Sequence, residues 1–481
     1  MKYKTAISVI GFLSILFSLS LLPAMFVSWL YHDGELLSLS ESLICMIVIG
    51  SVLWIPFRKQ NANLTRKDGF LVVALFWVLL GVLGALPFEF SLHLTLINAI
   101  FESISGLTTT GATVISGLDY LPPSILFYRQ ELQWFGGLGL VVLAVAVLPM
   151  LGIGGMSLYR AETPGPIKDM KLSPRISNSA KYLWIIYIVL TLSCAAAYWL
   201  GGMSVFDAVS HSLSTVSTGG FSTHDSSLSY FDSTLIDEIA IFFMFIAAIN
   251  FNLHYLVIYK KDVFGYFTDT ETKTFFIITI LAVMLTTGYL YLSHYYTNLK
   301  EALDMASFEV VSVISSTGFG VTDFSFWPGF LPLFLIFIAF VGGCGGSTAG
   351  GMKVMRVIIL FKVAFQEIKK LVHPRAILTI KLSNIPVQQN VMQSVLGFFS
   401  VYVVTFAFLV LAMISTGLEP ISSFAAIATS INNLGPGLGE VAVTFQTITD
   451  AGKIISIIAM LLGRLEVFTL LVILSPYFWK A

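Results

Sequence analysis

Residues 306–320 read ASFEVVSVISSTGFG, a short apolar segment that runs into serine, threonine and glycine. Residues 99–112 align with its first part without gaps, and weaker copies lie at 207–221 and 424–437. Each copy begins with an apolar segment that is too short to cross a membrane, because a spanning helix needs about 20 residues. Each copy then ends at a glycine-centred cluster. A pattern that recurs four times in one chain predicts a repeat architecture.

Four glycines mark the ends of these copies, namely Gly111, Gly219, Gly318 and Gly435, which are 108, 99 and 117 residues apart. Because glycine has no Cβ atom, it allows backbone dihedrals that other residues avoid. Backbone carbonyls turned to one side in this way can replace the hydration shell of a cation. The alternative interpretation is that each glycine ends a helix, which is a common use of glycine.

The composition excludes a soluble protein. The chain has 481 residues, of which 56% are apolar and 11% are charged. A soluble globular domain carries about 25% charged residues, so this chain cannot supply a charged surface. A cytosolic enzyme, a nucleic-acid-binding protein and a disordered chain are therefore excluded, and an all-α polytopic membrane protein is predicted. The net charge of −1 indicates no particular partner.

Hydropathy predicts ten membrane-spanning helices, at 7–30, 41–57, 69–90, 133–156, 181–200, 235–258, 274–294, 328–350, 392–416 and 453–477. All but four of the 26 Lys and Arg residues fall in one alternate set of connecting loops. The positive-inside rule then places those loops and both termini in the cytoplasm.

The opposite loops are acidic, with carboxylates at Asp33, Glu35, Asp119, Asp225, Asp232, Asp323, Glu440 and Asp450. An acidic outer mouth would concentrate cations. Ordinary solvated carboxylates are an equally good interpretation of any single one of these residues.

Two N-terminal helices at 1–68 would precede four units of helix, re-entrant loop and helix, at 69–180, 181–270, 271–391 and 392–481. Irregular backbone within a membrane is tolerated only where it is buried in protein or lines a cavity. Four such loops satisfy this rule together if they converge on one axis, in a pseudo-fourfold arrangement. The candidate ion filter is then Thr110, Gly111, Ala112, Thr218, Gly219, Gly220, Thr317, Gly318, Phe319, Leu434, Gly435 and Pro436.

Residues 341–351 read VGGCGGSTAGG, in the middle of a predicted helix. Each glycine costs a helix about 1 kcal/mol relative to alanine, so the helix should break there. We interpret the break as a gate across the pathway below the filter, formed by Gly345, Gly346, Ser347, Thr348, Ala349 and Gly350. Close packing of helices through small residues is the alternative.

Arg464 lies near the centre of the last predicted span. A charge at that depth costs at least about 2.5–3.5 kcal/mol, so it should face a cavity or a partner. On the pore axis it would repel cations and could act as a latch on the glycine-rich loop. A structural ion pair is the alternative, although Glu466 does not share its helix face.

These motifs resemble those of the TrkH/KtrB/HKT superfamily of potassium transporters along the whole chain. The segments that carry the resemblance are 107–113 (LTTTGAT), 211–225 (HSLSTVSTGGFSTHD), 316–320 (STGFG), 342–353, 432–437 (NNLGPG) and 463–467 (GRLEV). The helix pair that precedes the repeats fits the TrkH branch better than the KtrB branch.

The resemblance implies a potassium pore within one subunit, with K+ as the transported ion and no organic cofactor on this chain. It implies a homodimer in the bacterial cytoplasmic membrane and a cytoplasmic regulatory partner, TrkA, which is a ring of nucleotide-binding domains. It also implies that 342–353 is an intramembrane gate and that Arg464 lies in the pore. Leu434 replaces the usual threonine of the fourth loop, which predicts a less symmetric ion cage than that of a potassium channel.

Two rivals remain at this point. Potassium symport with H+ or Na+ would be favoured by inverted repeats, whereas these repeats run parallel, since each begins on the cytoplasmic side. An enzyme would need a nucleophile or acid–base cluster within the helices, and the sequence has none at usable spacing. The basic stretch 353–391 could dock either TrkA or anionic lipid.

Overall fold

The computed structural model describes residues 3–58, 66–139, 176–374, 378–382 and 385–479. Helices dominate these ranges, and the only strands within them are β1 (Lys381–Leu382) and β2 (Ile385–Pro386), which form an antiparallel hairpin. The predicted all-α class is confirmed. Most of the predicted span 133–156 lies outside the described residues.

Three helices form the N-terminal part, namely α1 (Tyr3–Ser18), α2 (Leu21–Tyr31) and α3 (Leu36–Trp54). Helices α1 and α3 cross closely at two glycines. A Cβ atom on Gly11 would lie 2.7 Å from the carbonyl oxygen of Gly50, and one on Gly50 would lie 2.9 Å from the carbonyl oxygen of Gly11. Small residues at such a crossing let two membrane helices approach without side chains between them.

The remaining helices follow in the order of the four sequence repeats. The first repeat contains α4 (Arg66–Leu83), α5 (Leu86–Leu92), α6 (Leu96–Leu107) and α7 (Pro123–Trp134). The second contains α8 (Ile176–Leu200), α9 (Val205–Val216), α10 (Thr234–Ala247), α11 (Phe251–Lys260) and α12 (Gly265–Thr268). The third contains α13 (Thr270–Leu292), α14 (Leu299–Ile314), α15 (Leu331–Ala339) and α16 (Val354–Val372). The fourth contains α17 (Gln389–Ile414), α18 (Pro420–Asn432), α19 (Asp450–Arg464), α20 (Glu466–Leu474) and α21 (Pro476–Trp479).

Each repeat has one short helix that follows a long one, and we call α6, α9, α14 and α18 the pore helices. Local sequence starts them. The side chains of Thr95, Ser204 and Asn298 accept hydrogen bonds from the first-turn amides of α6, α9 and α14, as expected for N-cap residues. Helix α18 instead has Pro420 in its first turn, where the missing N–H costs nothing.

Six helices in the described ranges are long and apolar enough to cross a membrane, or seven if the bent pair α10 and α11 counts as one span. The chain is therefore a multi-pass membrane protein. Ten spans remain a prediction, because several of the predicted ones are interrupted.

The second long helix is interrupted in repeats two, three and four, and only the first part of that of repeat one lies within the described residues. A π-helical turn at Phe135–Gly139 follows α7. Helices α10 and α11 meet at an angle of 92°. Residues 340–353 separate α15 from α16, and Leu465 separates α19 from α20. The spans predicted at 235–258, 328–350 and 453–477 are thus wrong as continuous helices, whereas the break expected at 341–351 is confirmed.

Candidate functional site

The four pore helices end in the same hydrogen-bonded turn. The amide of Thr110 donates to the carbonyl of Ser105, across 2.8 Å. The equivalent bonds run from Gly219 to Ser214 (2.8 Å), from Thr317 to Ser312 (2.8 Å) and from Leu434 to Thr429 (2.9 Å). The residue before each donor has a left-handed backbone, with φ of 55° at Thr109, 52° at Thr218, 53° at Ser316 and 53° at Asn433. This is the Schellman motif that commonly ends helices.

A glycine with a second left-handed backbone follows each turn. These glycines are Gly111, Gly220, Gly318 and Gly435, with φ of 81°, 81°, 83° and 91°. The sequence alignment that pairs Gly219 with Gly111 is therefore wrong by one residue. Gly219 instead occupies the position of Thr110, Thr317 and Leu434. Because loop two contains two consecutive glycines, the residue types alone allow either register.

The alternative interpretation of these glycines as helix caps is also wrong. The left-handed cap residue is Thr109, Thr218, Ser316 or Asn433, and the glycine lies two residues beyond it. A left-handed conformation costs a residue with a Cβ atom about 1–2 kcal/mol. The cap residue has a Cβ atom despite this cost, whereas the second left-handed position, two residues later, is glycine in all four loops.

The loops contact one another in a closed order, which explains the need for glycine there. A methyl group on Gly111 would collide with the carbonyl oxygen of Gly219 in the next loop, one on Gly220 with that of Thr317, and one on Gly318 with that of Leu434. A methyl group on Gly435 would lie 2.8 Å from the carbonyl oxygen of Thr110 in the first loop, so the contacts of the fourth loop close the ring. The structure thus brings all four predicted loops together.

A cavity of about 290 Å³ lies against this ring, on the side where the chain continues beyond the loop glycines. Its lining includes the four left-handed glycines and the predicted filter residues Ala112, Phe319 and Pro436. Carboxylates line it as well, at Asp225, Glu309 and Asp323. Two of these are outer acidic residues that the sequence singled out. The arrangement places negative charge beside the outer end of the loops.

Another predicted outer carboxylate belongs to a cluster around His224. Its Nδ1 atom lies 2.5 Å from Asp119, its Nε2 atom lies 3.5 Å from Asp207, and its ring stacks on Tyr230. Burial lowers the pKa of His224, but the neighbouring carboxylates of Asp207 and Asp119 outweigh burial and raise it. The cluster ties the outer segment of repeat one to the pore helix of repeat two.

Buried side chains behind the loops were missed by the sequence interpretation. Arg129 pairs with Glu102 of α6 at 2.8 Å, and both side chains are fully buried. Arg129 is therefore held inside the protein by a glutamate of the pore helix. Gln133, one turn further along α7, donates to the carbonyl of Gly219 at 2.6 Å. The available signal was the presence of Gln130 and Gln133 at the start of a strongly apolar span.

The glycine-rich segment at 340–353 lies against the C-terminal ends of the pore helices. Thr348 donates to the carbonyl of Val216 at 3.1 Å. The amide of Gly350 donates to the hydroxyl of Ser316, and the amide of Gly351 donates to the carbonyl of Asn432 at 3.2 Å. The segment therefore contacts the last turns of three pore helices.

The same segment also contacts the break between α10 and α11 in repeat two. The amide of Cys344 donates to the carbonyl of Ala248 at 2.9 Å, and the amide of Phe251 donates to the carbonyl of Gly346 at 3.0 Å. The bend between α10 and α11 is thus filled by backbone of the glycine-rich segment. Glu271 of α13 accepts the amides of Gly345 (2.7 Å) and Met355 (3.0 Å), which ties the segment and the first turn of α16 to α13.

Arg464 joins this segment to the first repeat. Its guanidinium donates to the carbonyl of Thr348 at 3.2 Å and to the hydroxyl of Thr109 at 3.3 Å. It also donates to the carbonyls of Gly136 and Gly137 in the π-helical turn. Glu466 pairs with Arg356 of α16 at 2.7 Å. The positive charge of Arg464 therefore lies between the start of loop one and the glycine-rich segment.

Side-chain clusters that could hold a transition metal are absent from the described residues. The groups available for a cation at this site are backbone carbonyls, threonine hydroxyls and the carboxylates of the outer cavity. Oxygen ligands of this kind suit alkali and other hard cations rather than soft metals.

Comparisons with known proteins agree with the geometry. A family model described as "TrkH: Cation transport protein" matches residues 38–480. "Trk system potassium uptake protein TrkH" of Vibrio parahaemolyticus is 48% identical over 485 residues, and the alignment covers 100% of both chains. The protein of the same name from Escherichia coli is 47% identical over 482 residues, again with 100% of both chains covered. The crystal structure of "the Potassium Transporter TrkH from Vibrio parahaemolyticus" superposes with a TM-score of 0.91 at 46% identity and covers 100% of each chain.

Proposed function

The chain belongs to the TrkH family of cation transport proteins, and we propose that it is a potassium-uptake subunit that conducts K+ through the four converging loops. The observation that carries this proposal is the closed order of contacts in which each loop glycine abuts a carbonyl oxygen of the next loop. Carbonyl oxygens gathered around one ring can replace the water ligands of a potassium ion.

In the proposed path, ions gather in the outer cavity beside Asp225, Glu309 and Asp323 and then enter the ring of loops. The pore helices direct the negative ends of their dipoles at the ring, which favours a cation there. The membrane potential drives uptake, at about 2.3 kcal/mol per charge for each 100 mV. We propose the carbonyls of Thr110, Gly219, Thr317 and Leu434 and those of the following residues as the ion ligands.

We further propose that the glycine-rich segment is the gate and that Arg464 is its latch. Hydrogen bonds from Arg464 to Thr348 and Thr109 support this, because they join the segment to the first loop. In this state the guanidinium opposes cations that leave the ring. Opening requires that the segment and Arg464 separate.

We propose that the subunit forms a homodimer in a bacterial cytoplasmic membrane, with both termini in the cytoplasm. A TrkA-like ring of nucleotide-binding domains would control the gate from the cytoplasmic side. The basic stretch 353–391, which follows the gate directly, is the proposed site at which that partner or anionic lipid acts.

Complementation tests potassium uptake. A bacterium that lacks its own potassium-uptake systems should grow at low external potassium when it expresses this chain with TrkA. Gly111→Ser and Gly318→Ser should lose the rescue or admit sodium, because their side chains would collide with neighbouring carbonyls. Gly117→Ser is the matched control, since Gly117 also has a left-handed φ of 76° but has open space around it. Absence of rescue by the unaltered chain with TrkA would contradict the proposed function.

Flux in reconstituted vesicles tests the gate. Arg464→Ala, or a deletion within 345–350, should raise potassium flux, because each removes part of the contact between the latch and the segment. Unchanged flux for both variants would overturn the proposed gate.

The same vesicles distinguish a channel from a symporter. A channel should give potassium flux that follows the potassium gradient and the membrane potential alone. Symport, the alternative mechanism, would require potassium flux to change in fixed proportion with an imposed H+ or Na+ gradient.

A further inference from the structure

Loop two is held by side chains from the second helix of repeat one. The Gln133 side chain is fully buried and makes three hydrogen bonds to repeat two. Its Nε2 donates to the carbonyl of Gly219 at 2.6 Å, and its Oε1 accepts from the amide of Phe221 at 3.1 Å and from the hydroxyl of Ser214 at 2.6 Å. Because a backbone amide can only donate and a carbonyl can only accept, these partners fix the orientation of the glutamine amide.

Arg129 forms a second tie, one helical turn away on the same face of α7. Its Nη1 donates to the carbonyl of Ser222 at 3.1 Å, and its Nη2 donates to the hydroxyl of Thr113 at 3.2 Å. The guanidinium also lies 4.2 Å from the centre of the Phe221 ring. Since Thr113 follows loop one and Ser222 follows loop two, Arg129 links the outer ends of both loops.

The hydrogen bond from Gln133 reaches the carbonyl of Gly219, which is one of the four proposed ion ligands, with those of Thr110, Thr317 and Leu434. Among the residues that the structure describes, no other side chain donates to the carbonyl of Thr110, Thr317 or Leu434 in the way that Gln133 donates to Gly219. The carbonyl of Gly219 is also the one that abuts Gly111 of loop one. Its position relative to an ion in the ring is therefore set by a buried side chain of a different repeat.

We propose that Gln133 and Arg129 are positioning residues that fix the carbonyl groups of loop two and thereby set the discrimination between potassium and sodium. This inference rests on the proposed function. Discrimination between two cations depends on the distance and number of the carbonyls that each can reach. A carbonyl that is tied back by Gln133 cannot move inward to contact the smaller sodium ion.

The test uses the full chain in planar bilayers or vesicles and measures the permeability ratio of potassium to sodium. Gln133→Met keeps the side-chain volume and removes the hydrogen bonds to Gly219, Phe221 and Ser214. The ratio should fall roughly two- to tenfold, the range that the loss of one net hydrogen bond allows. Arg129→Lys keeps the charge beside Glu102 but loses the planar fork, and it should lower the ratio by a smaller factor.

Tyr128→Phe is the matched control. It lies on the same helix, is fully buried and loses one hydrogen bond, to the carbonyl of Gly84 at 3.1 Å, which is remote from loop two. Its ratio should equal that of the unaltered chain. A permeability ratio is independent of the amount of folded protein, so a purely structural role for Gln133 would leave the ratio unchanged.

The outcomes separate this inference from the proposed function. If the unaltered chain passes no potassium, the proposed function fails. If it passes potassium and both Gln133→Met and Arg129→Lys keep its ratio, the positioning role is overturned. An equal fall in Tyr128→Phe would overturn it as well. If Gln133→Met yields no folded protein, Arg129→Lys decides alone.

Discussion

Loops two and three have the same backbone turn but are held by hydrogen bonds from different side chains. In both, a serine on the pore helix faces the loop from an equivalent position. Ser312 donates directly to the carbonyl of Phe319 at 2.6 Å. Ser214 instead donates to Gln133, which then bonds the backbone of loop two. Loop three is thus held by its own pore helix, and loop two by a neighbouring repeat.

The carboxylates behind the loops differ in the same sense. Glu102 and Glu309 occupy equivalent positions in repeats one and three. Both carboxylates accept amides of their own loop, Glu102 that of Val114 (3.0 Å) and Glu309 those of Val321 (2.9 Å) and Thr322 (3.2 Å), but Glu102 also pairs with Arg129 of α7. The comparison teaches that equal backbone geometry does not require equal side-chain support. It also indicates where a single substitution should alter one loop and spare another.

The largest expected effect comes from a methyl group in the ring itself. Gly220→Ala should reduce potassium uptake to background, because the new Cβ would collide with the carbonyl of Thr317. The left-handed backbone at this position adds about 1–2 kcal/mol of strain for a residue with a Cβ atom. Gly117→Ala carries the same strain without a collision and should keep most of the uptake. Rubidium uptake into cells with equal surface expression measures both. Similar uptake by the two variants would show that the ring contacts do not matter.

The second-largest effect should be a difference in stability between the Glu102→Gln and Glu309→Gln variants. Glu102→Gln leaves the buried guanidinium of Arg129 without its counter-charge, which typically costs about 3–5 kcal/mol. Glu309→Gln keeps an oxygen for the two amides and should cost about 1 kcal/mol. Thermal unfolding of the detergent-solubilised proteins gives the difference. A larger loss for Glu309→Gln would reverse the comparison of the loops.

A smaller difference in stability is expected between the Ser312→Ala and Ser214→Ala variants. Ser312→Ala leaves the carbonyl of Phe319 without its side-chain donor and should cost about 1–3 kcal/mol, the usual penalty for a buried unsatisfied group. Ser214→Ala leaves the bonds from Gln133 to loop two intact, so we expect at most about 1 kcal/mol. The same unfolding measurement applies. Equal losses would mean that Gln133 does not substitute for the serine.

The smallest expected effect comes from the contacts of His224 with Asp119 and Asp207. The pKa of His224 is raised in the folded state. The stabilisation by His224 is therefore complete below its ordinary pKa of about 6.5 and is lost as the pH rises through the raised pKa. His224→Gln should therefore unfold at a lower temperature than the unaltered chain at about pH 6, and the difference should vanish at about pH 9. We expect less than about 1 kcal/mol, as for partly exposed ion pairs. A difference that grows with pH would contradict the assignment.

Much of the helical architecture follows from the sequence, since long apolar runs and glycine clusters act locally. The run of glycines in 341–351 predicts a break, and α15 ends at Ala339. The bend between α10 and α11 could not be predicted in the same way. Asn250 and its neighbours contain no helix breaker, and the backbone at the bend donates to the carbonyl of Gly346 and accepts from the amide of Cys344, which are about a hundred residues away in sequence.

The candidate site was predicted to the level of the loops and no further. Threonine and glycine types identify the four clusters, but only backbone dihedrals distinguish Gly220 from Gly219. Gln133 and Arg129 were not predicted as supports for loop two, because their partners lie on another repeat. Residue type reveals such a polar group but not the carbonyl that it faces.

The closed order of the four loops has a consequence for genetics. In a channel built from four identical subunits, one altered codon changes four symmetric positions at once. Here the four left-handed glycines belong to a single chain, so one altered codon changes one quarter of the ring. Partial loss, or a shifted ion preference, is therefore accessible by single mutations, and the quarters can diverge from one another independently.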